Sequence, residues 1–159
     1  MSNGTKVKKR DGRIEALDLE KMHLMVEEAT RGLAGVSASQ VEMKSGIQFY
    51  DGITTAEIQE ILIKAASDLI DLDHPNYQFV AARLLLFALR KQLYGKMREL
   101  PHLESHIMNC TNIDVYDKEI FDKYSKEEID RANSYIDHER DFLFTYAGLR
   151  QVVDKYLVQ

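Results

Sequence analysis

A cluster of cations near the start of the chain has the residue types needed to hold a polyanion. From Lys6 to Lys21 there are six basic and four acidic residues, a local excess of two positive charges in a chain whose formal net charge is −5. On pattern alone the favoured interpretation is a solvated hairpin whose charged edges prevent aggregation. A polyanion site therefore needs further support from the rest of the chain. The most closely spaced cations are Lys8, Lys9, Arg10 and Arg13.

The elements that must position these cations are a β-hairpin and a helix. Asp11-Gly12 predicts a two-residue primed turn, because Gly adopts positive φ at little cost. The flanking segments Lys6–Arg10 and Arg13–Leu17 then form two short antiparallel strands. Asp18 follows as a helix N-cap, since its carboxylate can accept from the free N–H groups of the first turn.

Length and composition exclude several classes of protein. The chain has 159 residues, enough for one domain or for one small domain plus an extension. Its single cysteine, Cys110, excludes an internal disulfide framework and a zinc site built on two or four cysteines, and it favours a cytoplasmic setting. No apolar run reaches the roughly 18 residues of a membrane span, and the N-terminus lacks a signal-peptide core. The negative net charge argues against general nucleic-acid binding.

Apolar residues at three- and four-residue steps predict four helices in the first 95 residues, the first over about 19–33. Ser37 with Gln40 and Thr54 with Glu57 form predicted capping boxes, and Pro75 begins the fourth helix. The segment 49–53 supplies a short third strand. We therefore predict a mainly α fold with a small β element, a four-helix bundle capped by a hairpin or three-stranded sheet.

The remainder of the chain is predicted to be a helical extension. Residues 112–141 contain ten acidic and five basic residues, which is typical of a solvated face. Ser125 with Glu128 forms another capping box, and residues 135–156 are predicted to be helical.

Four ordered motifs carry a family resemblance. The chain resembles an ATP-cone domain and, more narrowly, the N-terminus of the large (alpha) subunit of class I (aerobic, class Ia type) ribonucleoside-diphosphate reductase. The resemblance implies an ATP-cone over residues 1–95 and a helical segment over 96–159 that leads into a catalytic barrel absent from this chain. The motifs are Val7–Lys21, Asp51–Thr55, Pro75–Arg83 and Leu89–Gly95, followed by similar stretches at Asp137–Asp141, Phe144–Tyr146 and Lys155–Gln159.

The resemblance also implies a site for ATP or dATP, with Mg²⁺. Lys9 and Lys91 would bind the phosphates, Glu15 and Asp18 would face the adenine edge, and Thr55 would meet the ribose. Apolar residues would sandwich the base. The complete implied set is Lys9, Arg10, Glu15, Ala16, Leu17, Asp18, Leu19, Glu20, Lys21, Met22, Thr55, Ile58, Gln59, Phe87 and Lys91.

Structural alternatives exist for most of these residues. Met22, Ile58 and Phe87 are also typical of a plain core, and Asp18 and Thr55 of helix starts. Gln59 stands where the family has a His that helps to distinguish ATP from dATP, so this discrimination is open here. The five histidines make no metal-ligand set, and we assign no metal-binding and no catalytic residue.

The resemblance implies allosteric control of deoxyribonucleotide synthesis, and hence of DNA replication. ATP in the cone would leave the reductase active, and dATP would favour an inhibited oligomer. The implied partners are the rest of the alpha subunit and the radical-generating beta subunit, and we predict no reductase activity for these 159 residues alone. One alternative is a helical protein-interaction module that binds no nucleotide. A stand-alone ATP-cone repressor would need a four-cysteine zinc ribbon, which one cysteine cannot build.

Overall fold

The computed structural model describes residues 5–157 and is mainly helical, with a small three-stranded sheet, as predicted. Val158 and Gln159, which end the last motif of the resemblance, lie outside the described residues. In chain order the elements are β1 (Lys6–Lys8), β2 (Ile14–Ala16), α1 (Leu19–Thr30), α2 (Ala38–Gly46), β3 (Ile53–Thr54), α3 (Thr55–Ser67), α4 (Tyr77–Tyr94), α5 (Leu103–Asn112), α6 (Glu119–Lys123), α7 (Lys126–Ser134), a 3-10 helix (His138–Leu143) and α8 (Tyr146–Lys155).

The chain forms two compact units. The first unit comprises residues 1–89 together with 142–159, and the second comprises residues 90–141. The boundaries fall within α4 and within the 3-10 helix. The predicted division at residue 95 separates an ATP-cone from a helical extension by function, whereas these units are defined by compactness. The functional division therefore stays a prediction.

The sheet of the first unit has the order β2-β1-β3, with β2 antiparallel and β3 parallel to β1. The predicted two-residue turn is wrong, because the hairpin has a three-residue loop. Lys9 N donates to Arg13 O at 2.8 Å, and Gly12 N donates to Lys9 O at 3.0 Å. Gly12 has a φ of 87°, as a type I turn closed by a left-handed glycine requires.

The core of the first unit lies between the sheet and the helices. Val7 of β1 and Ile53 of β3 are buried beside each other, and the helices contribute most of the remaining apolar side chains. Helix α1 ends at Thr30 rather than at the predicted residue 33, and Gly32, with a φ of 71°, follows it. The buried apolar positions of the helices are Met25, Val26, Ala29, Val41, Ile58, Leu62, Ile63, Ala65, Ala66, Tyr77, Val80, Ala81, Ala82, Leu84, Leu85, Phe87, Leu149 and Val153.

Two of the three predicted caps of the first unit are confirmed. Asp18 accepts from Lys21 N at 2.9 Å, and Thr54 and Glu57 form a complete capping box. The box predicted at Ser37 is wrong, because its side chain makes no cap hydrogen bond. Instead Ser37 N donates to the Tyr77 hydroxyl at 3.0 Å, and that hydroxyl donates to Gln40 Oε1 at 2.7 Å.

The second unit contains α5, α6 and α7, with α5 packed against α7. Ile107 and Ile129 are its buried apolar side chains. The capping box that begins α7 at Ser125 is confirmed. Arg90, 8% exposed, pairs with Asp141 at 2.8 Å, so a buried guanidinium has a carboxylate partner inside this unit.

The helix predicted over residues 135–156 is only partly correct. A 3-10 helix occupies His138–Leu143, and α8 begins after it. The separation has a local cause, since Thr145 starts a new helix by accepting from Gly148 N at 3.2 Å. Across residues 5–157, every helix is too short or too polar to cross a lipid bilayer.

Candidate functional site

The two sides of the β1–β2 ribbon carry different side chains. Val7 is 2% exposed, so its side of the ribbon faces the core. Glu15 lies directly opposite Val7 in the antiparallel register and therefore shares that face. Strand alternation places Lys9 on the same face and Lys8 on the outer face. Lys9 and Glu15 thus share the face of the ribbon that carries Val7, with Lys9 half-buried and Glu15 exposed.

The cations on this inner face are held by neighbouring carboxylates. Lys9 Nζ lies 3.4 Å from Glu15 Oε2, and Arg13 lies 3.2 Å from Glu15 Oε1. Arg13 also bonds Asp11 at 2.7 Å, and this hydrogen bond lowers the pKa of the Asp11 carboxyl. An incoming anion must therefore compete with Glu15 for Lys9.

An open cleft of about 690 Å³ lies where β2 leads into α1. Four predicted nucleotide-binding residues line it: Leu17, Leu19, Glu20 and Met22. Sequence reasoning missed the remaining lining residues, although His23 and Glu42 are polar neighbours within the two flanking helices. Those missed residues are Thr5, His23, Glu42, Met43, Gly46 and Phe49.

A hydrogen-bonded pair joins α1 to α2 on the wall of this cleft. His23 Nδ1 lies 2.7 Å from Glu42 Oε1, and Nε2 lies 3.3 Å from Glu27 Oε1. The hydrogen bond to Glu42 is the main cause of the raised pKa of His23, and the nearby Glu27 carboxylate acts in the same direction. The two carboxylates therefore stabilise the protonated form of His23 relative to that of a free imidazole.

The start of α3 presents another group of predicted site residues. Glu57 accepts from the Thr54 hydroxyl and from Thr54 N, which lowers the pKa of the Glu57 carboxyl, and it also accepts from the Tyr50 hydroxyl. Ile58 and Gln59 are buried, and Thr55 begins the helix. The Gln59 Nε2 amide is buried with no hydrogen-bond partner among residues 5–157. It is a donor without an acceptor in the part of the chain that is described.

The other predicted residues take different positions. Ala16 lies opposite Lys6 on the outer face of the ribbon, and Arg10 is exposed in the hairpin loop. Asp18 is engaged as the N-cap of α1, and Lys21 is exposed on the first turn. These positions leave the roles assigned to Ala16 and Arg10 as predictions.

Phe87 is 2% exposed, so its ring is a buried wall rather than an open stacking surface. Its ring lies 6.1 Å from that of Phe142, with an interplanar angle of 80°. Lys91 follows one turn later on α4, within residues 90–141 that form the second unit. Its role at the phosphates remains a prediction.

In the second unit, His102, Glu104 and Asp130 place potential metal ligands within 4.8 Å of one another. His102 Nδ1 accepts from Glu104 N at 3.3 Å as the cap of α5. A neutral imidazole that accepts at Nδ1 carries its proton at Nε2, which therefore cannot ligate a metal in the same state. This cluster is better suited to capping α5 than to holding a metal ion.

Comparison with known proteins finds similar sequences that are all alpha subunits of ribonucleoside-diphosphate reductases. The chain is 46% identical over all 159 residues to ribonucleoside-diphosphate reductase 1 subunit alpha of Escherichia coli (strain K12), covering 21% of that protein. It is equally similar over the same length to the subunit alpha of Haemophilus influenzae, again covering 21% of it. The subunit alpha of Enterobacteria phage T4 is 43% identical over 153 residues, which are 95% of this chain and 20% of the relative.

The chain therefore spans about a fifth of the length of these relatives, and it matches their N-terminal region. The family model for the ATP cone domain matches residues 5–92, which include the ribbon, the cleft and the start of α3. This match covers more than half of the chain, and the chain accordingly belongs to the ATP cone domain family.

Proposed function

We propose that the ATP cone, residues 1–95, binds ATP and dATP as allosteric effectors of a ribonucleoside-diphosphate reductase. The observation that carries this proposal is the cleft of about 690 Å³ lined by Leu17, Leu19, Glu20 and Met22, where β2 leads into α1. Pockets for small ligands and cofactors commonly measure about 300–1,000 Å³. The cleft is thus large enough for a nucleotide and adjoins the end of β2, although the residues that line it do not include the proposed phosphate ligands Lys9, Arg10 and Lys91.

Lys9 is the cation best supported as a phosphate ligand. It is on the inner face of the ribbon, and its partner Glu15 is 3.4 Å away at a partly exposed position, where an ion pair is weak. A triphosphate offers Lys9 stronger charge-assisted hydrogen bonds and replaces Glu15. Arg10 and Lys91 are proposed as further phosphate ligands from the hairpin loop and from α4.

The base and sugar require groups of other types. Glu15, once released from Lys9, and the uncommitted oxygen of Asp18 can accept from the adenine amino group. Gln59 offers a buried amide donor, and an unsatisfied donor costs about 1–3 kcal/mol, a cost that a ligand acceptor would remove. Thr55, one turn before Gln59, is proposed to meet the ribose.

Mg²⁺ would accompany the triphosphate. Mg²⁺ usually keeps several waters and is held by phosphates together with one or two carboxylates. Glu20 is a carboxylate on the cleft wall, whereas one oxygen of Asp18 caps α1 and the other is assigned to the adenine amino group. Glu20 is therefore the residue that would meet the ion or its water shell.

The regulatory role rests on a difference between two states of the enzyme. An effector shifts an equilibrium only by binding one state more tightly than the other. We propose that ATP favours an active assembly of the alpha and beta subunits and that dATP favours an inhibited oligomer. In a cytoplasmic reductase this chain would supply the regulatory part, and it should show no turnover of CDP by itself.

Isothermal titration of the full chain with ATP and with dATP, each with Mg²⁺, tests nucleotide binding. Lys9→Ala should lower the binding affinity for both nucleotides about tenfold or more, because a hydrogen bond to a charged group is lost. Lys91→Ala should have a similar effect. Lys8→Ala is the matched control, because it removes the adjacent cation from the outer face of the ribbon. Equal losses for Lys8→Ala and Lys9→Ala would contradict the assignment of the inner face.

A second candidate function is a helical protein-interaction module without a nucleotide. Large apolar side chains are exposed on α1, on α2 and just beyond α2, with Leu24 58%, Met43 74% and Ile47 89% exposed. Such exposure on neighbouring elements is typical of contact surfaces. A titration that detects neither ATP nor dATP would overturn the first proposal and favour this one.

A further inference from the structure

The cleft between β2, α1 and α2 has an acidic wall whose charge depends on one histidine. Its ionisable lining residues are Glu20, His23 and Glu42, and among the described lining residues His23 alone can become a cation. With His23 protonated, the two carboxylates leave one uncompensated negative charge on the wall, and loss of the proton leaves two. The proton on His23 therefore changes how strongly this wall repels an anion.

His23 is placed between two carboxylates that its protonated ring can satisfy together. Nδ1 lies 2.7 Å from Glu42 Oε1 on α2, and Nε2 lies 3.3 Å from Glu27 Oε1 on α1. Ionised carboxylates only accept hydrogen bonds, and a neutral imidazole has one N–H whereas an imidazolium has two. Only the protonated ring can donate to both oxygens. The raised pKa of His23, for which Glu42 is the main cause, agrees with this geometry.

The charged groups around His23 come from α1 and α2. On α1 they are Glu27, one turn later, and Glu20, on the same cleft wall, and on α2 the facing group is Glu42. The residues that line the cleft from β2's end and from beyond α2, such as Leu17 and Phe49, are uncharged. Every ionisable neighbour of His23 in the cleft is therefore an acid.

A charge on His23 acts across the whole cleft. A space of about 690 Å³ is roughly 9 Å wide, which is comparable with the Debye length of about 8 Å at physiological ionic strength. Any anion inside the cleft therefore lies within the range of this charge, whatever its orientation. Each pair of unit charges interacts weakly in water, but a triphosphate carries several charges.

We propose that the proton on His23 regulates the binding of nucleotides in this cleft, and this inference rests on the proposed function. The imidazolium offsets one of the two wall carboxylates and so favours a polyanion. The affinity for ATP should be high while the ring is protonated. It should fall as the pH rises through the folded-state pKa of His23, which lies above the ordinary 6.5.

The test is isothermal titration of the full chain with ATP and Mg²⁺ at pH 6.0 and at pH 8.5. At pH 6.0, His23→Gln should bind ATP about three- to tenfold more weakly than the unmodified chain, and at pH 8.5 the two should agree within about twofold. His23→Lys keeps a cation at both pH values, so it should bind more tightly than the unmodified chain at pH 8.5. Comparison at one pH cancels the titration of the terminal phosphate, which occurs near pH 6.

His74→Gln is the matched control. His74 is another histidine of the first unit that lies beside a carboxylate, with Nδ1 3.0 Å from Asp71 Oδ1, and it does not line the cleft. Its replacement should leave the affinity for ATP unchanged at both pH values. A further readout is the uptake of protons, measured by titration in buffers of different ionisation enthalpy at pH 7.5. ATP should cause more proton uptake in the unmodified chain and in His74→Gln than in His23→Gln.

The possible outcomes separate the two proposals. If the unmodified chain binds neither ATP nor dATP at either pH, the proposed function fails and this inference fails with it. If the chain binds ATP but His23→Gln matches His74→Gln at both pH values, the inference alone is overturned. An equal loss of affinity at pH 6.0 and pH 8.5 in His23→Gln overturns it too, because that loss does not follow the proton. If His23→Gln does not fold, tighter binding by His23→Lys than by the unmodified chain at pH 8.5 supports the inference, and equal binding overturns it.

Discussion

The two compact units differ in what holds them together. Among the described residues of the first unit, 5–89 and 142–157, twenty apolar residues are buried, drawn from two strands and from helices α1 to α4 and α8. In the second unit, described over residues 90–141, only Ile107 and Ile129 are buried apolar residues. That unit relies more on polar features, such as the capping box at Ser125 and the ion pair between Arg90 and Asp141.

This difference indicates where cooperative stability resides. Burial of apolar surface is the dominant favourable term in folding, whereas a single capping hydrogen bond contributes about 0.5–2 kcal/mol. The first unit should therefore determine the main unfolding transition of the chain. The second unit should open locally at a lower free energy.

The largest expected effect comes from opening a cavity in each unit. Leu62→Ala, at a fully buried position of α3, should lower the free energy of unfolding by about 2–5 kcal/mol. Ile129→Ala, on α7, should have a small effect on the main transition, because few apolar neighbours are lost from the core. Urea unfolding followed by circular dichroism measures both.

Amide hydrogen exchange separates the effects of Leu62→Ala and Ile129→Ala more clearly than urea unfolding does, because it reports the opening of each helix. Ile129→Ala should accelerate exchange within α5 and α7 only, and Leu62→Ala should accelerate it throughout the first unit. If Ile129→Ala destabilises the main transition as much as Leu62→Ala does, the two units unfold together and the comparison is wrong.

A smaller effect is expected from the matched capping boxes, one in each unit. Thr54→Ala and Ser125→Ala remove the same type of hydroxyl acceptor, so each should cost about 1 kcal/mol locally. The cost of Thr54→Ala should appear in the main urea transition, since α3 belongs to the first unit. The cost of Ser125→Ala should appear only as faster exchange near α7. Equal shifts of the main transition would show that the units are energetically coupled.

The smallest expected effect is a pH dependence of the first unit. The pKa of His23 is raised above its ordinary value of 6.5 by Glu42 and Glu27. Its contribution to stability is therefore fully present below the ordinary pKa and is lost as the pH rises through the folded-state pKa. His23→Gln should reduce the stability difference between pH 5.5 and pH 8.5, as measured by urea unfolding.

Glu42→Gln serves as the control for this prediction, because it keeps a hydrogen-bonding side chain and removes the charge. It should reduce the pH dependence in the same direction. An identical pH profile for the unmodified chain and both variants would argue that the His23–Glu42 contact contributes nothing in solution.

Local patterns predicted the features that depend on neighbouring residues. The Asp18 cap, the Thr54–Glu57 box and the stripe of α1 each involve residues within four positions, so their physical causes are visible in the sequence. The hairpin itself was predicted, but its loop length was not. Asp-Gly suits both a two-residue turn and a three-residue loop closed by a left-handed glycine.

Features that depend on distant residues were not predictable in this way. Ser37 is capped by the hydroxyl of Tyr77, forty positions later, so the Ser-x-x-Gln pattern was misleading. The contacts of Phe142 with Arg83 and Phe87 likewise span more than fifty positions. For the candidate site, four residues of the cleft wall are among those that the resemblance implies for nucleotide binding, a role that stays a prediction, whereas the contributions of α2 and Phe49 required the tertiary structure.

The ion pair between Lys9 and Glu15 raises the affinity that an anion needs in order to bind Lys9 on the ribbon. The carboxylate is tethered a few residues away, so it acts as a competitor with an effective concentration in the millimolar range or above. Under the proposed function, a chain of three phosphates would replace Glu15 by engaging several donors together, and the ribbon would then select anions by their charge.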